Sequence, residues 1–83
     1  MTNAIFATDL ELEVRQELYL ATQEHGSFNS GHEGWAIILE EVDELWEEIR
    51  HNASDGLPAR HEAVQIAAMA MRYIIDVCEK DHR

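Results

Sequence analysis

The sequence is poor in cysteine and in long apolar runs. A single cysteine, Cys78, excludes a disulfide within the chain and fits a reducing compartment. No segment approaches the roughly 18–20 unbroken apolar residues of a membrane span. The N-terminal residues lack the basic stretch followed by an apolar run that is typical of a signal peptide. We therefore expect a cytoplasmic protein that does not associate with membranes, and we expect Cys78 itself to be a small core residue.

Basic residues are also few. Six Lys and Arg stand against 17 Asp and Glu, which gives a formal net charge of −11 with His neutral. Direct nucleic-acid binding needs basic side chains to neutralise phosphates, so we expect none. The five histidines show neither HxxxH nor HxxH spacing, which argues against a zinc site. The segment GSFNSG lacks the GxxxxGK[ST] pattern of a phosphate-binding loop.

What the sequence does contain predicts one all-α domain over residues 1–83. No alternating strand pattern with hairpin turns occurs. Thr8 and Glu11 form a capping-box pattern that predicts a first helix from about Asp9, and Gly26 is a natural stop. Ser30 and Glu33 repeat the pattern, predicting a second helix from Ser30 to about His51. Pro58 suits the first turn of a third helix.

The third helix is apolar on nearly its whole circumference, which is the property of a helix buried on most sides. Two other helices of one chain can hardly cover it. We therefore expect an antiparallel four-helix-type bundle completed by a homodimer or a homotetramer. The apolar residues are Ala63, Val64, Ile66, Ala67, Ala68, Met69, Ala70, Met71, Tyr73, Ile74, Ile75, Val77 and Cys78.

The second helix concentrates acidic side chains. Glu41 and Glu44 are three residues apart, so their carboxylates lie on the same side of a helix, one turn apart. Like charges at this spacing repel, and the sequence adds Glu40, Asp43, Glu47 and Glu48 around them. A hard divalent cation would explain the cluster, because Mg²⁺ prefers oxygen ligands and often joins carboxylates to substrate phosphates.

These residues also carry a resemblance to a known family. The run Glu40-Glu41-Val42-Asp43-Glu44 resembles the EExxE motif of the MazG-like all-α nucleoside triphosphate pyrophosphohydrolases. Glu62 resembles the first residue of the ExxD motif of the same family. The stretches FNSGHEGWAIILEEVDELWEEIR and RHEAVQIAAMAMRYI look like the short MazG-like proteins. The resemblance covers roughly residues 28–77.

The resemblance implies a reaction and its residues. Members hydrolyse a nucleoside triphosphate to a monophosphate and pyrophosphate with Mg²⁺. We therefore expect Mg²⁺ as the cofactor of this chain, with Mn²⁺ as an alternative. By position, Glu41, Glu44 and Glu62 would be metal ligands, and Glu40 would orient or deprotonate the attacking water. The Asp of ExxD falls on Gln65, whose carbonyl can bind Mg²⁺ but adds no negative charge.

Candidate substrate contacts are Arg72, whose guanidinium can hold phosphate oxygens, and His32 and Trp35 near the break between the first two helices. Each has a structural alternative. Arg72 could pair with Asp76 or with an acid of the second helix. Aromatic residues at helical spacing usually fill cores, which applies to Trp35 and to Phe28. His32 could be a surface residue near a helix start, and Glu62 could act on the helix dipole.

Three functions from different classes therefore follow from the sequence. The first is a Mg²⁺-dependent pyrophosphohydrolase that cleans the nucleotide pool. The second is a MazG-like module that binds nucleotide, metal or a partner without turnover, supported by Gln65. The third is a small acidic protein that mimics DNA or inhibits a nucleic-acid enzyme, supported by the charge of −11.

Overall fold

The computed structural model describes residues 3–79, with side chains from residue 9 onward. The chain forms three α-helices, α1 (Asn3–His25), α2 (Gly31–His51) and α3 (Leu57–Tyr73), followed by a π-helical turn at Ile74–Cys78. Residues 3–79 contain no β-strand, which confirms the predicted all-α class. None of the helices in this part of the chain has the length and apolar character needed to cross a membrane.

The start of α1 differs from the prediction, whereas its end agrees. The helix begins at Asn3, so Thr8 lies inside it and is not its N-cap. A Thr-x-x-Glu pattern marks a helix start only if the preceding residues leave the helix, and here they continue it. At the other end, Gly26 has φ 73° and its N–H donates to the Thr22 carbonyl at 2.9 Å. This left-handed conformation favours glycine and ends α1.

The predicted start of α2 at Ser30 is confirmed. Ser30 has an extended backbone, and its Oγ accepts a hydrogen bond from the Glu33 N–H at 3.1 Å. The Glu33 carboxylate accepts from the N–H of Asn29 at 2.6 Å, one residue earlier than in the usual reciprocal pattern. Both contacts fix the angle at which the 26–29 loop enters α2.

The fold is organised around α3, which packs against both α1 and α2. Phe28, Ala68 and Met69 form the buried cluster at its centre. Partly buried side chains from every element pack around them, namely Val14, Leu18, Ala21, Ile37, Ile38, Tyr73 and Val77. The helices α2 and α3 approach closely at Gly34, where an added Cβ would lie 2.6 Å from Cδ2 of Tyr73.

Two residues predicted for the core are exposed in the structure. The side chain of Trp35 is 61% exposed, whereas the core prediction for Phe28, at 3%, is confirmed. Cys78 is also exposed, so the expectation of a small core residue is wrong. The reason is that apolar periodicity identifies the apolar side of a helix but does not say how much of that side its own chain covers.

Candidate metal centre and adjoining cavity

Three glutamates of α2 form a compact group of carboxylates. Glu40, Glu41 and Glu44 can each present one oxygen such that the three oxygens lie within 4.8 Å of one another. The helix produces this arrangement, because positions 40 and 44, and positions 41 and 44, face the same way one turn apart. Glu40 and Glu44 are exposed, while Glu41 is half-buried against α3.

The electrostatics of the group show that α3 takes part in it. Burial, followed by the carboxylates of Glu44 and Glu62, raises the pKa of Glu41 from its usual value to about 7. The pKa of Glu62 is also raised, first by burial and then by Glu44. The group with oxygens within 4.8 Å of one another therefore consists of Glu40, Glu41 and Glu44, and Glu62 of α3 lies outside it but close enough to interact electrostatically with Glu41 and Glu44.

This donor set fits a hard divalent cation. The three side chains of the group, and Glu62 near them, offer carboxylate oxygens, which Mg²⁺ and Mn²⁺ accept as ligands. Burial first, and then repulsion from Glu44 and Glu62, disfavours the ionised form of Glu41, and a bound cation would stabilise that form. Sulfur or imidazole ligands, which favour softer metals, do not belong to the group found in residues 3–79.

A cavity of about 500 Å³ adjoins the acidic group. All three helices and the 26–29 loop contribute to its wall. Glu40, Glu41 and Gln65 line it together with apolar side chains that could contact a planar ring. These apolar residues are Leu20, Ala21, Phe28, Ile37 and Met69.

Gln65 connects the cavity to α1. Its Nε2 donates to Oε2 of Glu17 at 2.6 Å, across 48 positions of sequence. Both residues are half-buried and both line the cavity. Gln65 therefore lies on the wall that Glu40 and Glu41 share, and its amide nitrogen donates to a protein group.

Arg72 is buried and tied to the 26–29 loop. Its guanidinium carbon lies 4.1 Å from the centroid of the Phe28 ring, and Nη2 donates to the Gly26 carbonyl. Its Nε is 4.0 Å from Oδ2 of Asp76, and that oxygen accepts the N–H of Phe28 at 2.9 Å. Arg72 lines the cavity, but these contacts orient its guanidinium toward protein groups.

The other two substrate-contact candidates are not brought to this cavity. His32 and Trp35 are both exposed on α2, and neither is among the described residues that line it. Their neighbours Phe28 and Asn29 do line it, because the loop turns inward before α2 begins.

Sequence reasoning did not single out Glu17 as a cavity residue. The helical spacing of α1 contained this information. Val14, Leu18 and Ala21 pack on the core, and Glu17 lies beside them, at the edge of the buried side of α1. The pattern does not identify Gln65 as the partner of Glu17, because the two residues meet only through the packing of α1 on α3.

Comparison of the chain with protein-family models, curated proteins and solved structures gave no significant match. Its function must therefore be argued from the residues and their geometry. The features that bear on it are the acidic group of α2 and the cavity beside it.

Proposed function

We propose that the chain is a Mg²⁺-dependent nucleoside triphosphate pyrophosphohydrolase that cleaves a (d)NTP to a (d)NMP and pyrophosphate. One observation carries the proposal: Glu40, Glu41 and Glu44 of α2 form a compact acidic group, and Glu40 and Glu41 line a cavity of about 500 Å³. Glu62 of α3 interacts electrostatically with the same group. A cavity of this size falls in the range of small-molecule sites. The MazG-like resemblance of residues 28–77 supplies the reaction type. We place the activity in the cytoplasm, where it would clean the nucleotide pool.

The carboxylates divide into two roles in this proposal. Glu41, Glu44 and Glu62, with the oxygen of Gln65, would hold Mg²⁺ or Mn²⁺. When bound, the cation supplies Lewis-acid chemistry, polarising the α-phosphorus and neutralising charge on the departing pyrophosphate. Glu40 is exposed and lies beside the ligands, so its carboxylate can orient a water molecule and accept its proton.

The cavity wall suits the nucleoside end of such a substrate. Leu20, Phe28 and Ile37 provide apolar surface against which a base can pack. Arg72 contributes a buried positive charge to the same wall and holds the loop that carries Phe28. We therefore revise its role from a direct phosphate ligand to a residue that shapes the nucleoside pocket.

We further propose that a second copy of the chain completes a four-helix bundle. The support is a stripe of α2 whose large apolar side chains are exposed and recur at alternating spacings of four and three residues. Such a spacing is typical of a helix seam that packs on another helix. The stripe consists of Trp35, Leu39, Val42, Trp46 and Ile49. Met71 of α3 and Ile74 of the π-helical turn that follows it are exposed as well, as the apolar circumference of the predicted third helix led us to expect of a single chain.

A pyrophosphate-release assay tests the catalytic proposal. The full chain is given each common and modified (d)NTP with Mg²⁺ or Mn²⁺, and Glu41→Ala serves as the inactive variant. Glu47→Gln is the matched control, because Glu47 is an acid of the same helix that contacts Arg50 and His51 instead of the cluster. Monophosphate and pyrophosphate in equal amounts, made by wild type and Glu47→Gln but absent in Glu41→Ala, are the expected result.

Two negative results have different meanings. If no (d)NTP yields pyrophosphate but the chain binds metal, the proposal of an enzyme gives way to that of a nucleotide- or metal-binding module. If the chain neither releases pyrophosphate nor binds metal, the result favours the acidic interaction protein, because the carboxylates would then have no cation to bind.

A further inference from the structure

The contact between Gln65 and Glu17 has a defined polarity. A carboxylate can only accept hydrogen bonds, so the 2.6 Å contact with Oε2 of Glu17 requires the amide nitrogen of Gln65 to be the donor. The amide oxygen is therefore the atom of Gln65 that remains to accept or to ligate. Glu17 thus fixes which end of the Gln65 amide is available to a ligand.

Glu17 has a neutral partner in this contact, unlike the other acid of α1 that reaches α3. Its neighbour one turn earlier, Glu13, is bonded to Arg60 at 2.7 Å, and this arginine lowers the pKa of Glu13 and offsets its charge. The hydrogen-bond partner of Glu17 is a neutral amide, which offsets nothing. Two acids on the same side of α1 therefore reach α3, but only Glu17 lines the cavity that Glu40 and Glu41 share.

We propose that Glu17 supplies, from α1, the negative charge that residue 65 lacks, and that it holds the Gln65 amide with its oxygen available to the cation or to a water on it. The inference rests on the proposed function, because it assigns a further residue to the same metal centre. Glu17 acts through Gln65 and through its charge, so it is a positioning residue. In this arrangement the charge expected at position 65 has moved to the neighbouring helix.

Metal affinity measures this role directly. Mn²⁺ is titrated into the full chain without nucleotide, and free Mn²⁺ is followed by electron paramagnetic resonance. For Glu17→Gln we expect binding weaker by about 10-fold or more, the usual effect of removing a carboxylate that orients a ligand. The control is Glu13→Gln, which removes the same charge from the same helix but leaves the cavity intact, and its affinity should equal that of the wild type.

Exchanging Glu17 and Gln65 shows whether a loss of Mn²⁺ affinity comes from the missing charge or from damage to the structure. In Glu17→Gln/Gln65→Glu the pair can keep its hydrogen bond with donor and acceptor reversed, while the carboxylate moves to position 65. We expect the double variant to recover the Mn²⁺ affinity that Glu17→Gln loses. Failure to recover, at unchanged helical content by circular dichroism, would overturn the inference.

The outcomes also distinguish this inference from the proposed function. If wild type binds Mn²⁺ and releases pyrophosphate while Glu17→Gln binds Mn²⁺ equally well, the role of Glu17 is wrong and the enzyme stands. If the wild-type chain binds no Mn²⁺, the metal centre and the role of Glu17 both fail.

Discussion

The guanidinium of Arg72 lies over the ring of Phe28, with its central carbon 4.1 Å from the ring centroid. Both side chains are only 3% exposed, so the contact joins α3 to the 26–29 loop inside the protein. Cation–π attraction is stronger where water is excluded, and the Gly26 carbonyl and Asp76 add polar contacts to the same guanidinium. The loop is thereby held in the conformation that forms the cavity wall.

Arg72→Lys tests this arrangement. A lysine keeps the charge but cannot reproduce the planar fork, which leaves the Gly26 carbonyl without the donor it has in this part-buried contact. We expect the free energy of unfolding in urea to fall by about 1–3 kcal/mol. Arg50→Lys is the control, because Arg50 pairs with Glu47 on the surface and its loss should change stability by less than about 0.5 kcal/mol. Equal effects of the two variants would contradict the role of Arg72.

The acidic group predicts that a divalent cation stabilises the fold. A ligand that binds only the folded chain adds about 2.7 kcal/mol at a concentration 100 times its dissociation constant. We expect Mg²⁺ or Mn²⁺ to raise the Tm of wild type and of Glu47→Gln, but not that of Glu44→Gln, when Tm is followed by circular dichroism. An identical rise in all three proteins would point to a general ionic effect and not to a site.

The pKa of Glu41 predicts how the metal-free protein responds to pH. Because its pKa is about 7 in the folded chain and 4.5 is its usual value, the folded state retains a proton that the unfolded state releases. The stabilising contribution is thus complete below about pH 4.5 and is lost as pH rises through about 7. Glu41→Gln, which resembles the protonated side chain, should remain stable over this range.

Urea unfolding at several pH values in the presence of a chelator measures this difference. The free energy of unfolding of wild type relative to Glu41→Gln should decrease as pH rises across the window. A difference that stays constant, or that grows in favour of wild type, would show that Glu41 is not protonated in the folded state. Adding Mg²⁺ should remove the decrease, because a cation stabilises the ionised carboxylate.

Gly34 predicts a steric limit on the packing of α2 against α3. In Gly34→Ala the new methyl group would lie 2.6 Å from the Tyr73 ring and 3.1 Å from the Phe28 ring, so a ring must move. Overpacking of this kind costs about 1–3 kcal/mol, and the better helix propensity of alanine returns at most about 1 kcal/mol. We expect lower stability in urea, and most of the loss should disappear when Tyr73→Ala is the background. Unchanged stability would mean that the helices are farther apart.

The exposed stripe of α2 predicts self-association. Sedimentation equilibrium at micromolar concentration should give a mass above that of the 9.5 kDa chain. Val42→Glu, which places a charge in the centre of the stripe, should yield the monomer, while Ala36→Glu on another side of α2 should not. A monomeric wild type would contradict the shared bundle.

Of the two capping patterns in the sequence, one predicted a helix start correctly and the other did not. The start of α2 at Ser30 was predictable because capping is a local interaction between neighbours in sequence. The start of α1 was not, since the same local pattern at Thr8 lies within a helix that begins at Asn3. The π-helical turn at Ile74–Cys78 also left no pattern that we recognised.

For the candidate site, the difference lies in the range of the contacts. Glu40, Glu41 and Glu44 come together because helical spacing alone brings them together, and this is visible in sequence. The Glu17–Gln65 contact and the position of Arg72 over Phe28 depend on how helices and loop pack across more than 40 positions. Long-range packing of this kind is not encoded in the periodicity of any single segment.

The central position of α3 has a consequence for how the molecule opens. Because α1 and α2 both pack on α3, local fluctuations can release one outer helix while the other pair stays assembled. We expect amide hydrogens in the middle of α3 to exchange with solvent only when the whole domain unfolds, and those of α1 to exchange sooner. A nucleotide that fills the cavity would contact α1 and α3 together, so it should slow exchange most in the helix that opens first.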